Sequence, residues 1–370
     1  LTRMDPGLRV VVIERDPSYR QASTALSAAS IRLQFSAEIN VKISLFGLEF
    51  ILDFARFCPQ GGVGDLGFRE NGYLFLSTTT TGAEVLEGLA AMQRGCGATT
   101  RVLSPAEIAR RFPWMNVDDL VAGSFGARHE GWFDNMGLLG GLKAQARAQG
   151  ADFRHDRVTG LAGESGQVRR VELASGAVLE AGAVVNAMGP RAAEALRWLR
   201  EDLPVEPRKR TIFVVDAPQA RHPDAPLIID PQGYWMRPEQ GQWLAATVPA
   251  EDGPCAADDF EPDAGLFDAA IWPMLYHRAE GFAAAKVQRL WAGHYAFNRI
   301  DQNALLGRHP RWRNLYLANG FSGHGLQQAP AVGRGLAELI LTGDWVSLDL
   351  SPLIFDRLAT GKIFVEDAIV

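Results

Sequence analysis

Cysteine is scarce in this chain. Cys58, Cys96 and Cys255 are the only three in 370 residues, and they are widely spaced. That spacing suits reduced, unpaired thiols in a cytosol-like compartment rather than a disulfide-stapled secreted domain. No Cys/His cluster has the spacing of a zinc site, so no metal is expected. No run of eighteen apolar residues is present, so no membrane span is expected. The first residues, Leu1 to Arg9, contain no apolar signal-peptide core. There is no internal repeat and no low-complexity tract. A net charge of -6 and a pI near 5.7 give no basis for nucleic-acid binding. What remains is a chain with 47% hydrophobic residues, enough for a sizeable core and two lobes.

The stretch that organises the rest is Gly320–Gly335. It follows an apolar run, Leu315–Ala318, that reads as a buried strand. It leads into Leu326, Ala329, Val332, Leu336, Leu339 and Ile340, whose spacing of three and four predicts a helix. A strand, a glycine-rich turn and a helix bring backbone close to a ligand and aim the positive end of the helix at it. Three glycines in six residues with His324 between two of them favour a binding turn over a plain corner.

Elsewhere, Val10–Ile13 reads as a buried parallel strand with Glu14 and Asp16 at its carboxyl end. In dinucleotide-binding folds an acidic residue there holds ribose hydroxyls, and a G-x-G-x-x-G turn lies roughly twenty residues earlier. Only thirteen residues precede Glu14. That turn, its strand and most of the first helix are therefore expected outside these 370 residues. Gly62–Gly67 matches the motif by letter, but no strand is predicted before it and a strand, not a helix, is predicted over Phe68–Leu76. It is rejected as a phosphate loop. Ser23–Ser36 is rich in small residues and carries Arg32, suited to lying against a flat ligand. Helices are predicted over Leu45–Phe57, Gly82–Arg94 and Leu138–Gln149, with a capping box at Ser104 and Glu107. Strands are predicted over Asp152–Val158 and Val168–Leu173. A second strand and glycine turn run from Ala183 through Gly189. From Arg208 to Val248 the pattern alternates as an antiparallel sheet does. On Gly233–Arg237, Tyr234 and Trp235 must face opposite sides, and one of them could wall a pocket. Leu266–His277 reads as helical.

With these strings placed, the chain resembles the D-amino acid oxidase, glycine oxidase and sarcosine oxidase superfamily of FAD enzymes over nearly its whole length. More narrowly it resembles the FAD-dependent oxidoreductase domain-containing proteins, whose mitochondrial member is linked to assembly of respiratory complex I. Glu14–Pro17, Glu130–Asp134, Leu203–Arg210, Asp301–Asn303 and Gly320–Pro330 carry the likeness. The resemblance implies an α/β fold: an FAD-binding Rossmann-like parallel-sheet domain and a second, mainly antiparallel substrate domain. The FAD-binding part would take residues 1–60, 136–200 and 291–370, and the substrate part 61–135 and 201–290. Cofactor contacts are implied at Glu14, Arg15, Ser23, Thr24, Ser27, Val158, Ala187 and Gly189, and at Gly320, Ser322, Gly323, His324, Gly325, Leu326 and Gln327. Substrate would be an amine or amino acid lying over the ring near Tyr234, Trp235, Arg237 and His294, with His324, Arg32 and Tyr234 as catalytic candidates. Arg32 or Arg237 would clamp a carboxylate.

Three departures shape these expectations. His294 or a neighbour stands where sarcosine oxidases attach flavin to cysteine, so non-covalent FAD is expected. Gln327 stands where they carry a lysine that helps activate oxygen, so slow reaction with oxygen is expected, and the electron acceptor is oxygen or another acceptor, as in an oxidase or a dehydrogenase. Ala29 and Ser30 replace paired glycines before Arg32. A cytoplasmic location is expected, or the mitochondrial matrix in a eukaryote. The alternative to an enzyme is a non-catalytic flavoprotein-fold assembly factor for a respiratory-chain complex.

Overall fold

The computed structural model describes residues 1–366. Parallel pairing sits where continuous apolar runs occur. Strand β1 (Val11–Glu14) pairs in parallel with β7 (Asp152–His155), Val11 opposite Asp152. Strand β11 (Val184–Asn186) pairs in parallel with β18 (Leu315–Asn319), which is flanked on its other side by antiparallel β17 (Leu305–Arg308). Among the described residues, β1 pairs with β7 alone and β11 with β18 alone. An antiparallel trio, β8 (Val158–Glu164), β9 (Gln167–Leu173) and β10 (Val178–Leu179), follows β7. The predicted strand Asp152–Val158 thus divides: its first half belongs to the parallel pair and Val158 opens a new sheet. The two runs read as buried are only partly so. Val11–Glu14 is half-buried throughout, and Val185 is exposed.

A larger sheet of eight strands is mainly antiparallel. Its order is β16 (Lys286–Asn298), β12 (Val205–Asp216), β15 (Gln242–Thr247), β14 (Tyr234–Glu239), β13 (Leu227–Ile229), β3 (Tyr73–Ser77), β5 (Ala122–Gly126) and β4 (Arg101–Leu103). One parallel contact, β13 with β3, joins the segment before residue 135 to that after 201. One face of this sheet packs Phe213, Tyr234, Met236 and Trp243 against Ile108 and Leu275. The opposite face carries Ile212, Val214, Trp235, Leu244 and Tyr73, with Trp132 and Trp291 over them. The short pair β2 (Ser30–Ile31) and β6 (Gly131–Trp132) links this face to the parallel strands.

Helix α9 (Gly325–Thr342) lies against α2 (Glu38–Leu52) through Leu336, Leu339, Ile39 and Ile43. Truncating a buried leucine such as Leu336 to alanine in such a seam costs about 2–5 kcal/mol. The seam is tight because Gly47 meets the Gln327 carbonyl where a side chain would stand. Helix α2 begins at Glu38, seven residues before the predicted start. Ile39, Val41 and Ile43 are β-branched but buried, and packing overrides their weak helix propensity. Its continuation, Phe54–Phe57, is a separate turn of helix. The capping box forms as read, with Ser104 and Glu107 bonded reciprocally. Leu266–His277 is helical but begins with a π-turn over Phe267–Ile271. Among the described residues no helix is long and apolar enough to cross a membrane.

Candidate functional site

The glycine stretch folds as a turn between β18 and α9. Gly320 has φ +68° and a Cβ there would press on Asn298 and Val205 at 3.1 Å; Gly323 has φ +96° and a Cβ would lie 2.7 Å from the Tyr295 ring. Only glycine fits such a left-handed, crowded position. Ser322 takes φ +48° between them; its Oγ accepts from Asn298 N at 3.0 Å, and its own amide donates to Ala296 O at 2.9 Å. The turn is thereby fixed to β16. His324 takes the N-cap position of α9 without its side chain capping the helix. First-turn amides have no partner within a helix, so the positive end of α9 points past His324. Gly325 and Leu326 are half-buried there, and Gln327 is buried.

The His324 ring is turned toward Arg32. Its Nε2 lies 2.9 Å from Arg32 Nη2. Guanidinium nitrogens only donate, so in this contact Nε2 is the acceptor. Phe35 meets the His324 ring edge-on at 5.0 Å, and the Arg32 guanidinium lies over Phe35 and Phe75. Gln327 Oε1 accepts from the Arg32 amide at 2.9 Å. Arg32, His324 and Gln327, distant in sequence, thus form one buried unit.

That unit rests on a residue the sequence reading passed over. Glu130 is 1% exposed; it accepts from Leu33 N at 2.7 Å and from Gln34 Nε2 at 2.8 Å. Burial pushes its carboxyl up to about 8, against the pull of Gln34, Leu33 and the nearby Arg32 charge. Tyr73, beside Arg32 and Arg237, is pushed up to about 12 by burial. Tyr295 is raised by burial too, with Arg210 and Arg32 both acting on it.

The second arginine candidate is placed differently. Arg237 is 3% exposed and lies over Trp132 at 4.8 Å; its Nη2 donates to Ala28 O at 2.8 Å and its Nη1 meets Glu239. Its Nε is buried without a partner. Burial lowers its pKa, with Glu239 opposing. Trp235 and Arg237 share the face that carries Tyr73 and Trp291. Tyr234 faces the other core, where its hydroxyl donates to Met274 O at 3.1 Å. Of the two, Trp235 shares the face of Arg237, and the structure does not bring Tyr234 to the Arg32 unit. His294 is also turned away. Its Nε2 lies 2.6 Å from Asp259 O, Phe260 stacks on its ring at 4.4 Å, and burial lowers its pKa. Strand parity puts Trp291, Gly293 and Tyr295 on the opposite face, where Tyr295 meets Gly323 of the glycine turn.

The remaining predicted contacts lie at strand ends and in the short helix Ser23–Leu26 with its C-cap Ser27. Glu14 ends β1 half-buried and accepts from the Asp16 amide at 2.8 Å, while Arg15 is exposed. Ser23 Oγ donates to His294 O at 2.9 Å, Thr24 O accepts from Asn135, and Ser27 Oγ accepts from Ala29 N. Val158 is half-buried at the start of β8, Ala187 is exposed, and Gly189 has φ +56° with open space around it. Gly62–Gly67 lies in irregular chain between a short helix and β3, without the flanking strand and helix of a phosphate loop.

A mixed α/β fold in which a glycine turn and helix terminus face an antiparallel sheet is that of the FAD-dependent oxidoreductases. The chain belongs to the DAO family, described as FAD dependent oxidoreductase, which matches residues 1–339. It is 36% identical to FAD-dependent oxidoreductase domain-containing protein 1 of Xenopus laevis, over 98% of this chain and 79% of that protein. It is 26% identical to glycine oxidase of Geobacillus kaustophilus, over 82% of this chain and 77% of that one. Its fold matches L-proline dehydrogenase from P. horikoshii with a TM-score of 0.81 at 23% identity, covering 96% of this chain and 98% of that one.

Proposed function

We propose that the chain oxidises a C–N bond of a small amine or amino acid using non-covalently bound FAD. The observation that carries this reading is the buried Arg32–His324–Gln327 unit beneath the uncapped N-terminus of α9. FAD, when bound, accepts a hydride equivalent from the carbon that bears nitrogen. The residues present fit its ring end. Gly323 is exposed at the turn, the His324 side chain does not cap α9, and among the described residues Asn319 Oδ1 is buried without a partner at the end of β18. Val185, Ala187 and Gly189 leave open surface at the end of β11. Ile13 of β1 and Val184 of β11 pack on one cluster, which holds the ends of the two parallel pairs together.

In this reading Arg32 binds the substrate carboxylate, since a guanidinium fork matches a carboxylate and His324 holds it in place. Arg237, committed to Ala28 O and Glu239, shapes the wall. Trp235, Trp291 and Tyr295 exclude water over the ring. The positive end of α9 favours negative charge developing before it. Gln327 spends its side-chain oxygen on the Arg32 amide, in the position where related oxidases carry lysine, so we assign an electron acceptor other than oxygen. The same residue favours the second reading, a non-catalytic assembly factor. The three cysteines are unpaired, which suits a reducing compartment.

The test is anaerobic reduction. FAD-loaded protein is mixed with N-methyl amino acids and simple amines, and the flavin colour is followed. Bleaching that is lost in Arg32→Met supports the enzyme. A yellow protein that none of them reduces supports the assembly reading, and a protein that takes up no FAD contradicts both.

A further inference from the structure

Strand β12 is covered unevenly. Ile212–Val215 pair with β15, whereas Val205–Thr211 pair with β16 alone. The exposed edge is overlaid by residues 248–264, which contain no helix or strand. Irregular connections of this length in compact domains are commonly lids or binding loops. Backbone bonds fix this one at Val248 N to Gly233 O (3.2 Å) and at Cys255 N to Pro207 O (3.0 Å). Beyond Cys255 it stays bound, through Asp259 on Lys209 and Phe260 on His294. Between the two anchors the tip 249–254 reaches onto the other face and places Asp252 on two arginines. Arg210 Nη1 and Nη2 donate to Asp252 at 2.6 and 3.0 Å, and Arg208 Nη1 donates at 2.9 Å.

This arrangement is built for a carboxylate. The Arg210 guanidinium lies over Tyr295 at 5.0 Å and that of Arg208 over Phe297 at 3.8 Å; Glu206 accepts from Arg208 Nε and Nη2 at 3.0 and 2.9 Å, so Arg208 gives the seat its Nη1 and Arg210 gives the fork. Arg210 is 6% exposed and its Nε is buried without a partner, so the fork has a donor that Asp252 leaves unused. Tyr295 is the residue that a Cβ at Gly323 would strike, so this seat is one aromatic ring away from the glycine turn. The Arg32 charge acts on Tyr295 as well. Asp252 itself is 19% exposed on a tip tied down only at its ends, so it can leave without unfolding the sheet.

We propose that Arg208 and Arg210 form a second carboxylate seat, taken by a substrate that carries two acidic groups and filled by Asp252 until that substrate displaces it. This rests on the reading above, in which Arg32 takes the amino acid's own carboxylate. The substrate class is then an amino diacid or an N-carboxyalkyl amino acid. Asp252 acts as an internal competitor, and the tip 249–254 closes over the site when no diacid is present.

Calorimetric titration with glutarate and with valerate tests this without flavin chemistry. The readout is the ratio of the two dissociation constants. Wild type prefers glutarate, and Asp252→Ala widens the preference by about tenfold, because the competitor is gone. Arg210→Gln narrows it by about 10–100-fold, the worth of a bidentate charged pair. Arg210→Lys, which keeps the charge but not the fork, falls between the two. A cooperative unfolding transition in each variant shows that the fold is kept. A ratio that is the same in wild type, Asp252→Ala and Arg210→Gln overturns the seat. If the ratios behave as stated but no amine reduces bound FAD, the oxidoreductase reading fails and the seat stands. If N-methyl amino acids reduce FAD while the ratios do not move, the reverse holds.

Discussion

Replacing Glu130 by glutamine tests whether the Arg32 unit stands on a neutral buried acid. The carboxyl is 1% exposed and is pushed up to about 8, against an ordinary 4.5. Between those two values the folded protein holds a proton on Glu130 that the unfolded chain has released. Stability from this group is therefore complete below 4.5 and is lost as pH rises toward 8, by about 1.4 kcal/mol for each pH step. From pH 5.5 to 7.5 the wild type loses about 2.7 kcal/mol on this account. Glutamine keeps the shape and cannot ionise, so Glu130→Gln removes that slope. Urea unfolding at several pH values measures it, and the difference between variant and wild type cancels every other titrating group. Parallel stability curves for the two proteins would refute a neutral Glu130. The carboxyl would then be ionised throughout, held by Arg32 and by the Leu33 and Gln34 donors.

Three further outcomes follow from single contacts. Gly323→Ala puts a Cβ 2.7 Å from the Tyr295 ring at φ +96°; it should cost about 1–3 kcal/mol in thermal unfolding and weaken FAD uptake. Tyr234→Phe removes one hydrogen bond to Met274 O, far from the Arg32 unit. About 1 kcal/mol of stability should go, with the rate of flavin reduction retained. Asp301→Asn strips the charge partner from buried Arg357, which Asp301 holds at 2.8 and 2.9 Å. Calorimetric unfolding should show a loss of about 3–5 kcal/mol.

The parts of the fold that were legible are those set by local pattern. The run Leu315–Ala318, the glycines after it and the apolar spacing through Leu339 specify strand, turn and helix without help from the rest of the chain. The Ser104–Glu107 box is legible for the same reason. Arg32, His324 and Gln327 were legible one by one, but not the contacts that join them. Glu130 sits in a loop string, and its meaning comes from Leu33 and Gln34, which the fold alone brings to it. His294 or a neighbour was as far as the sequence could go on β16. Which of two neighbours on a strand faces a ligand depends on its register, and β16 presents the odd-numbered side. Arg208 and Arg210 alternate with Lys209 and Thr211 along β12, so a basic run in sequence becomes two faces in space. The early start of α2 escaped pattern reading because Ile39, Val41 and Ile43 are helical through their packing on α9 and nearby strands.

The central claim is that the Gly320–Gln327 turn and the first turn of α9 meet the redox-active ring of FAD. A crystal structure of the protein loaded with FAD tests it most directly. The account predicts ring atoms in contact with backbone from Gly323 to Gln327, with Arg32, Trp235 and Tyr295 on the open side of the ring. A diphosphate at the N-terminus of α9, or a ring placed elsewhere in the fold, would contradict it.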